Sequence, residues 1–170
     1  MTTYSTATTS PELFTRQLRN SFGMFATGIT VVTTRTPAGE PIGITVNSFN
    51  SVSLQPPLIV WSLSLDLPSR ALFENCEYYA INVLAEDQQA LSERFGGRGE
   101  GDRFAGLELE TGEGDVPLLS GCCARFVCRN TVRHQGGDHL VFISDVLSFE
   151  RNEAREPLLY FGGRYRRLVP

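Results

Sequence analysis

The run Thr45-Val46-Asn47-Ser48-Phe49-Asn50-Ser51-Val52-Ser53 carries hydroxyls and amides just past a β-branched segment. Its chemistry is recognition rather than bond-breaking: such groups, with free backbone donors, hydrogen-bond the edge of a planar polar ring. His139 is a second candidate. It opens an apolar run directly after Gln135-Gly136-Gly137-Asp138, so its imidazole either lines a ligand site or is a core histidine satisfied by backbone. Cys123 and Cys128, followed by His134 and His139, superficially resemble a metal-ligand set, with Cys122 adjacent. They lack a C-x2-C pair, and neighbours on a strand point to opposite faces, so the favoured reading is small side chains packing a strand and no metal.

The elements that must position these groups belong to one domain. The chain has 170 residues, 15 basic against 19 acidic side chains and a net charge of −4, which gives no electrostatic reason to bind nucleic acid or an anionic membrane. All 15 basic residues are arginine. Schiff-base, Walker-A and kinase-type lysine chemistry is therefore excluded. Met1 to Thr15 is rich in Thr and Ser, lacks an apolar centre and reads as a frayed tail, neither signal nor transit peptide. The longest apolar stretch, Pro57 to Trp61, is far short of the about 20 residues that cross a bilayer. A soluble, cytoplasmic protein with reduced Cys76, Cys122, Cys123 and Cys128 is the expectation.

Periodicity predicts mostly sheet. Ile29 to Arg35 and Ile42 to Val46 form a hairpin across Thr36-Pro37-Ala38-Gly39-Glu40-Pro41. Leu58 to Leu63, Tyr78 to Leu84, His139 to Val146 and Leu158 to Phe161 follow as strands. Between them, Phe126, Cys128, Asn130 and Val132 alternate with Arg125, Val127, Arg129, Thr131 and Arg133, giving a core face and a basic, wetter face. Helices are predicted over Pro11 to Phe25, Ser69 to Cys76 with Ser69 as N-cap, and Glu86 to Phe95. Gly96 to Asp102 reads as a surface loop. Many short strands with isolated helices indicate a small barrel. No Gly-rich fingerprint supports a Rossmann nucleotide site.

Together with Thr45 to Ser53, the segments Phe22 to Thr34, Asn82-Val83-Leu84, Leu91 to Phe95, Gly137-Asp138-His139 and Pro157 to Phe161 with Gly163-Arg164-Tyr165 resemble the short-chain flavin reductase family. These are the reductase components of two-component flavin-dependent monooxygenases. The resemblance runs from about residue 14 to 168 and implies a mainly β fold with a few helices, an FMN-binding split β-barrel that is homodimeric. It assigns residues 1–12 to a disordered N-terminal tail and 13–170 to the flavin reductase domain. The implied cofactors are FAD or FMN with NADH or NADPH, and the implied partner is a monooxygenase that receives the reduced flavin.

The resemblance also distributes roles. Thr45, Val46, Asn47 and Ser48 would hold the flavin ring edge, with Ser51 and Asn82 in the same site. Ser62, Ser69, Arg70, Ser92 and Phe95 are candidates for the ribityl, phosphate or adenine side, although the serines serve equally as loop caps. Arg19, Asn20, Asp138, His139, Arg164 and Tyr165 are placed beside the pyridine nucleotide, where arginine suits a pyrophosphate; the other reading of the C-terminal arginines is a solvated basic end. Hydride transfer between two cofactors needs no catalytic triad, so none is expected. The alternatives are a non-catalytic flavin carrier and a pyridoxamine-phosphate-oxidase-like flavoenzyme.

Overall fold

The computed structural model describes residues 2–97 and 101–168, so Arg98, Gly99 and Glu100 of the expected surface loop lie outside the described residues. Helix α1 spans Pro11–Phe22 with proline in its first turn, where the missing N–H costs nothing. It stops three residues short of the expected Phe25 because Gly23 caps it, donating to the Arg19 carbonyl. Ahead of it, Thr9 N–H bonds the Ser5 carbonyl at 2.9 Å, so part of the segment read as a frayed tail is wound into a turn and helix.

The strands are β1 Thr27–Gly28, β2 Thr30–Arg35, β3 Pro41–Val46, β4 Asn50–Leu54, β5 Pro57–Ser64, β6 Tyr78–Val83, β7 Leu109–Thr111, β8 Pro117–Leu119, β9 Ala124–Gly136, β10 His139–Arg151, β11 Leu159–Phe161 and β12 Arg164–Arg166. Two more α-helices, α2 Arg70–Asn75 and α3 Gln89–Gly96, and two 3-10 turns, Glu86–Gln88 and Glu113–Asp115, complete the described elements. Seven strands form one antiparallel sheet in the order β3-β2-β6-β9-β10-β5-β4. Its two outermost strands are consecutive in sequence, separated only by residues 47–49. A flat sheet would hold them about 29 Å apart, whereas the linking residues reach about 14 Å when extended. The sheet must therefore roll up, and the segment Pro41–Leu54 closes it as one bent strand, pairing with β2 through its first half and with β5 through its second. Two register shifts on the β9–β10 ladder supply curvature.

Every second residue points into this barrel. Val32, Ile44, Ile59, Trp61, Leu63, Tyr79, Ile81, Cys128, Leu140 and Phe142 fill it, with Trp61 stacked on Phe142 at 4.3 Å. A second core lies outside the barrel, where Ile29, Val31, Leu84, Phe95, Phe104, Leu119 and Leu158 seat α3 and the later loops on β2 and β6. Close approach there depends on Gly43: a Cβ at that position would stand 2.8 Å from a ring carbon of Phe95.

Some expectations change. Val127, expected on the wet face of β9, is 4% exposed, because Val116 and Leu118 of the preceding β7–β8 excursion cover that face. Ser69 occupies the N-cap position of α2 without a side-chain capping bond. Strands β1, β4, β7, β8 and β12, each five residues or fewer, are too short to leave a periodic signal in the sequence. The C-terminal strand belongs to a separate three-stranded sheet, β1-β11-β12.

Candidate active site

The ring-edge candidates sit where β3 bends into β4. Ile44 and Val46 pack on the barrel core, so Thr45 between them faces outward and donates its hydroxyl to the Ser92 carbonyl of α3 at 2.8 Å. Asn47 is exposed. At Ser48 the chain is no longer paired with β2 and not yet with β5. Its hydroxyl fills that gap, bonding the backbone N–H and C=O of Ser62. Among the described residues the backbone N–H groups of Asn47, Ser48 and Phe49 donate no hydrogen bond to another backbone carbonyl. A strand break thus presents unengaged donors beside an exposed amide, a donor set that fits the carbonyl edge of a planar ring.

Trp61 and Leu63 point into the barrel, so Ser62 and Ser64 point out. One strand further on, Ser64 is in register with His139, and the Leu65 N–H bonds the Asp138 carbonyl at 2.9 Å. The Asp138 carboxylate lies 2.8 Å from His139 Nδ1. That hydrogen bond and the neighbouring imidazole's charge hold the Asp138 carboxyl below the usual carboxylate range. With Nδ1–H directed at Asp138, Nε2 is the ring nitrogen left to meet a ligand. His139 is half-buried with 44% of its side chain exposed, so it is not a core histidine.

Beside Thr45, the Ser92 hydroxyl and Tyr165 OH are 2.9 Å apart, joining α3 to the C-terminal hairpin. Gly162 and Gly163 turn that hairpin with φ of +61° and +74°, a conformation that favours glycine. The Gly162 N–H donates to the Gly23 carbonyl at 2.8 Å, which brings Arg164 to the end of α1 that carries Arg19 and Asn20. All three side chains are exposed.

Other candidates stand apart. Ser51 is exposed on β4, in register with Ile59. Ser69 and Arg70 follow the loop leaving Ser64, and Arg70 pairs with Glu74 at 2.7 Å. Two candidates lie inside the protein. Asn82 is fully buried, its amide donating to the Val31 carbonyl and Thr33 hydroxyl and accepting from the Leu119 N–H. With that capacity spent inside the protein it ties β2, β6 and β8 together and has no face toward the rim. Phe95 is likewise fully buried, an edge-on partner of Phe104 at 4.9 Å. Its role is to seat α3 on Gly43. Ser64, missed from sequence, was recoverable from the period-2 alternation with Ser62.

The rolled sheet with its three helices defines a β-barrel of the split-barrel kind. The model of the flavin reductase like domain matches residues 22–169, and the chain belongs to that family. It is 43% identical over 152 residues to FMN reductase (NADH) SmoA of Agrobacterium fabrum, covering 89% of this chain and 85% of that protein. It is 36% identical over 155 residues to HsaB, the reductase subunit of a flavin-dependent monooxygenase of Rhodococcus jostii, covering 91% of this chain and 78% of HsaB. Among solved structures, the NADH:FAD oxidoreductase SgcE6 of Streptomyces globisporus, in complex with NAD and FAD fragments, superposes with a TM-score of 0.86 at 37% identity, covering 92% of this chain and 93% of SgcE6.

Proposed function

We propose that the chain is an NAD(P)H:flavin oxidoreductase that supplies reduced flavin, FMN or FAD, to a separate flavin-dependent monooxygenase. The observation that carries this reading is the rim at the β3–β4 bend, set between His139 on one side and the Ser92–Tyr165 pair on the other, in a chain whose relatives are flavin reductases. A bound flavin supplies the redox chemistry, accepting a hydride from the nicotinamide. The chain's own residues bind and orient. Thr45, Val46, Asn47 and Ser48 hold the ring edge through backbone and side-chain hydrogen bonds. Ser62, Ser64 and Ser69 line the way toward the ribityl chain and phosphate. Asp138 fixes the imidazole of His139, which forms a wall for the nicotinamide without moving a proton in the hydride step.

The functional unit in this reading is a homodimer in the cytoplasm. Half-exposed Val60, Val141 and Ile143 line the outer face of β5 and β10, an apolar strand surface that a second copy covers. No helix among the described residues is long and apolar enough to cross a membrane.

Anaerobic mixing of the protein with NADH and free FMN or FAD tests the reading. Catalytic loss of NADH absorbance with bleaching of the flavin is expected, and His139→Ala should raise KM for NADH or slow flavin reduction while the flavin affinity and melting temperature stay close to wild type. A protein that binds flavin stably without turnover would instead be a carrier.

A further inference from the structure

The fold scatters the cysteines that stand near His134 and His139 in sequence. Cys128 is inside the barrel, Cys122 is in the second core, and the Cys123 thiol bonds the Leu84 and Arg155 carbonyls. The two histidines, by contrast, are brought together. In the β9–β10 ladder His139 stands opposite Gly136, and Val141 opposite His134. Residues two apart on a strand share a face, so His134 and His139 occupy diagonal corners on one face of the hairpin. Such corners are about 7–8 Å apart at Cα, within reach of aromatic side chains. The other diagonal leaves the rings room, because one of its corners is Gly136 and the other is Val141.

Both rings have a nitrogen to give. The Asp138 carboxylate takes the Nδ1–H of His139 at 2.8 Å, which fixes the tautomer and leaves the Nε2 lone pair facing out, the usual arrangement behind a metal-binding imidazole. His134 is exposed, and among the described residues no carboxylate lies within 4.0 Å of its ring. The neighbouring cation does not oppose a metal here: Arg133 alternates to the other face of β9 and bonds the Glu74 carbonyl. Paired imidazoles without a thiolate suit zinc, nickel or copper, whereas magnesium and calcium require oxygen ligands. Among the described residues no group of three or more His, Cys, Asp or Glu is placed to hold a metal, so water completes the coordination.

We infer that His134 and His139 form a two-histidine site for a divalent transition metal of the zinc type on the outer face of the β9–β10 hairpin. The metal takes the same Nε2 of His139 that the reductase reading sets against the nicotinamide. Metal binding and NADH oxidation therefore exclude one another, and the site acts as an inhibitory one. That consequence rests on the reductase reading, whereas the metal site itself rests only on the hairpin.

The test titrates zinc chloride into the full chain in chelator-free buffer, reading affinity by competition with a zinc indicator dye and inhibition by NADH turnover with FMN. Zinc should bind and inhibit competitively with NADH, and magnesium chloride should do neither. His134→Gln should weaken zinc binding about tenfold or more and raise the inhibition constant by the same factor, and Asp138→Ala, which keeps both ligands but frees the His139 ring, should weaken binding about tenfold. Without zinc, kcat and KM of His134→Gln should stay close to wild type. Zinc affinity that is unchanged in His134→Gln overturns the inference, as does its loss in Cys76→Ser or Cys123→Ser, which would put the metal on a half-buried thiol. Binding that depends on His134 but leaves NADH oxidation untouched overturns the inhibitory role. Absence of turnover in zinc-free wild type is a different outcome: it refutes the reductase reading, while the dye titration still decides the site.

Discussion

The Ser48 hydroxyl bonds both backbone groups of Ser62, accepting from its N–H at 3.0 Å and donating to its C=O at 2.9 Å. One side chain thereby replaces a step of the ladder at the place where the barrel closes. Ser48→Ala would leave a half-buried N–H and C=O without partners, a loss of about 1–3 kcal/mol. Thermal and urea melts should record that loss, and Ser48→Thr should recover most of it. An unchanged melt with weakened flavin binding would mean that the hydroxyl serves the ligand and not the seam.

Asn82 should prove structural. Its three hydrogen bonds reach β2 twice and Leu119, the last residue of β8 in a separate hairpin, once. Asn82→Ala should lower stability by about 2–4 kcal/mol by stranding those buried partners. Flavin affinity of the fraction that stays folded should match wild type; a selective loss of flavin affinity at full stability would restore Asn82 to the binding site.

Tyr165 and Ser92 act as one clasp between α3 and the C-terminal hairpin. Tyr165→Phe and Ser92→Ala should each cost about 1 kcal/mol, and the double variant little more than either alone. KM for NADH should rise several-fold in each, because Arg164 rides on that hairpin. Strict additivity of the two losses would show that the hydroxyls do not depend on one another in solution.

Arg125, with 12% of its side chain exposed, bonds Glu110 at 2.8 Å and also pairs with Glu150. Its guanidinium holds the Glu110 carboxyl below the usual range. A carboxyl that binds its proton less readily folded than unfolded contributes stability that is complete above the ordinary carboxylate pKa and is lost as pH falls through the lowered value. Denaturation midpoints measured from pH 7 downward should decline through that window in wild type. In Arg125→Leu the overall stability is lower and the acid limb flatter; parallel limbs in the two proteins would remove Glu110 from the account.

Long strands and their faces were legible in the sequence because alternation needs only local information: Ile29 to Arg35, Leu58 to Leu63 and Tyr78 to Leu84 lie within one or two residues of their strands. Val127 was misread because the side chains covering it come from residues 116 and 118, which no local pattern connects to β9. Asn82 and Phe95 show the same limit from the other side. Polar and aromatic residues beside a recognised motif look like ligand contacts until the tertiary partners that consume their hydrogen bonds and surface are known. Asp138 and His139, adjacent in sequence, needed no such partner, and their pairing follows from a turn visible in Gln135 to Asp138.

The closing strand also determines where the backbone can be interrupted. New chain ends placed in the Ala38–Gly39 turn or between Gly136 and Gly137 fall at hairpin tips, outside the paired stretches that build the wall. Ends placed between Asn47 and Phe49 sever the covalent link that joins the first and last strands of the sheet, just where a lone serine side chain substitutes for pairing. A circularly permuted chain opened at either hairpin keeps a sealed cylinder, while one opened at the bend unrolls into a ribbon with two bare edges and loses the rim at the same stroke.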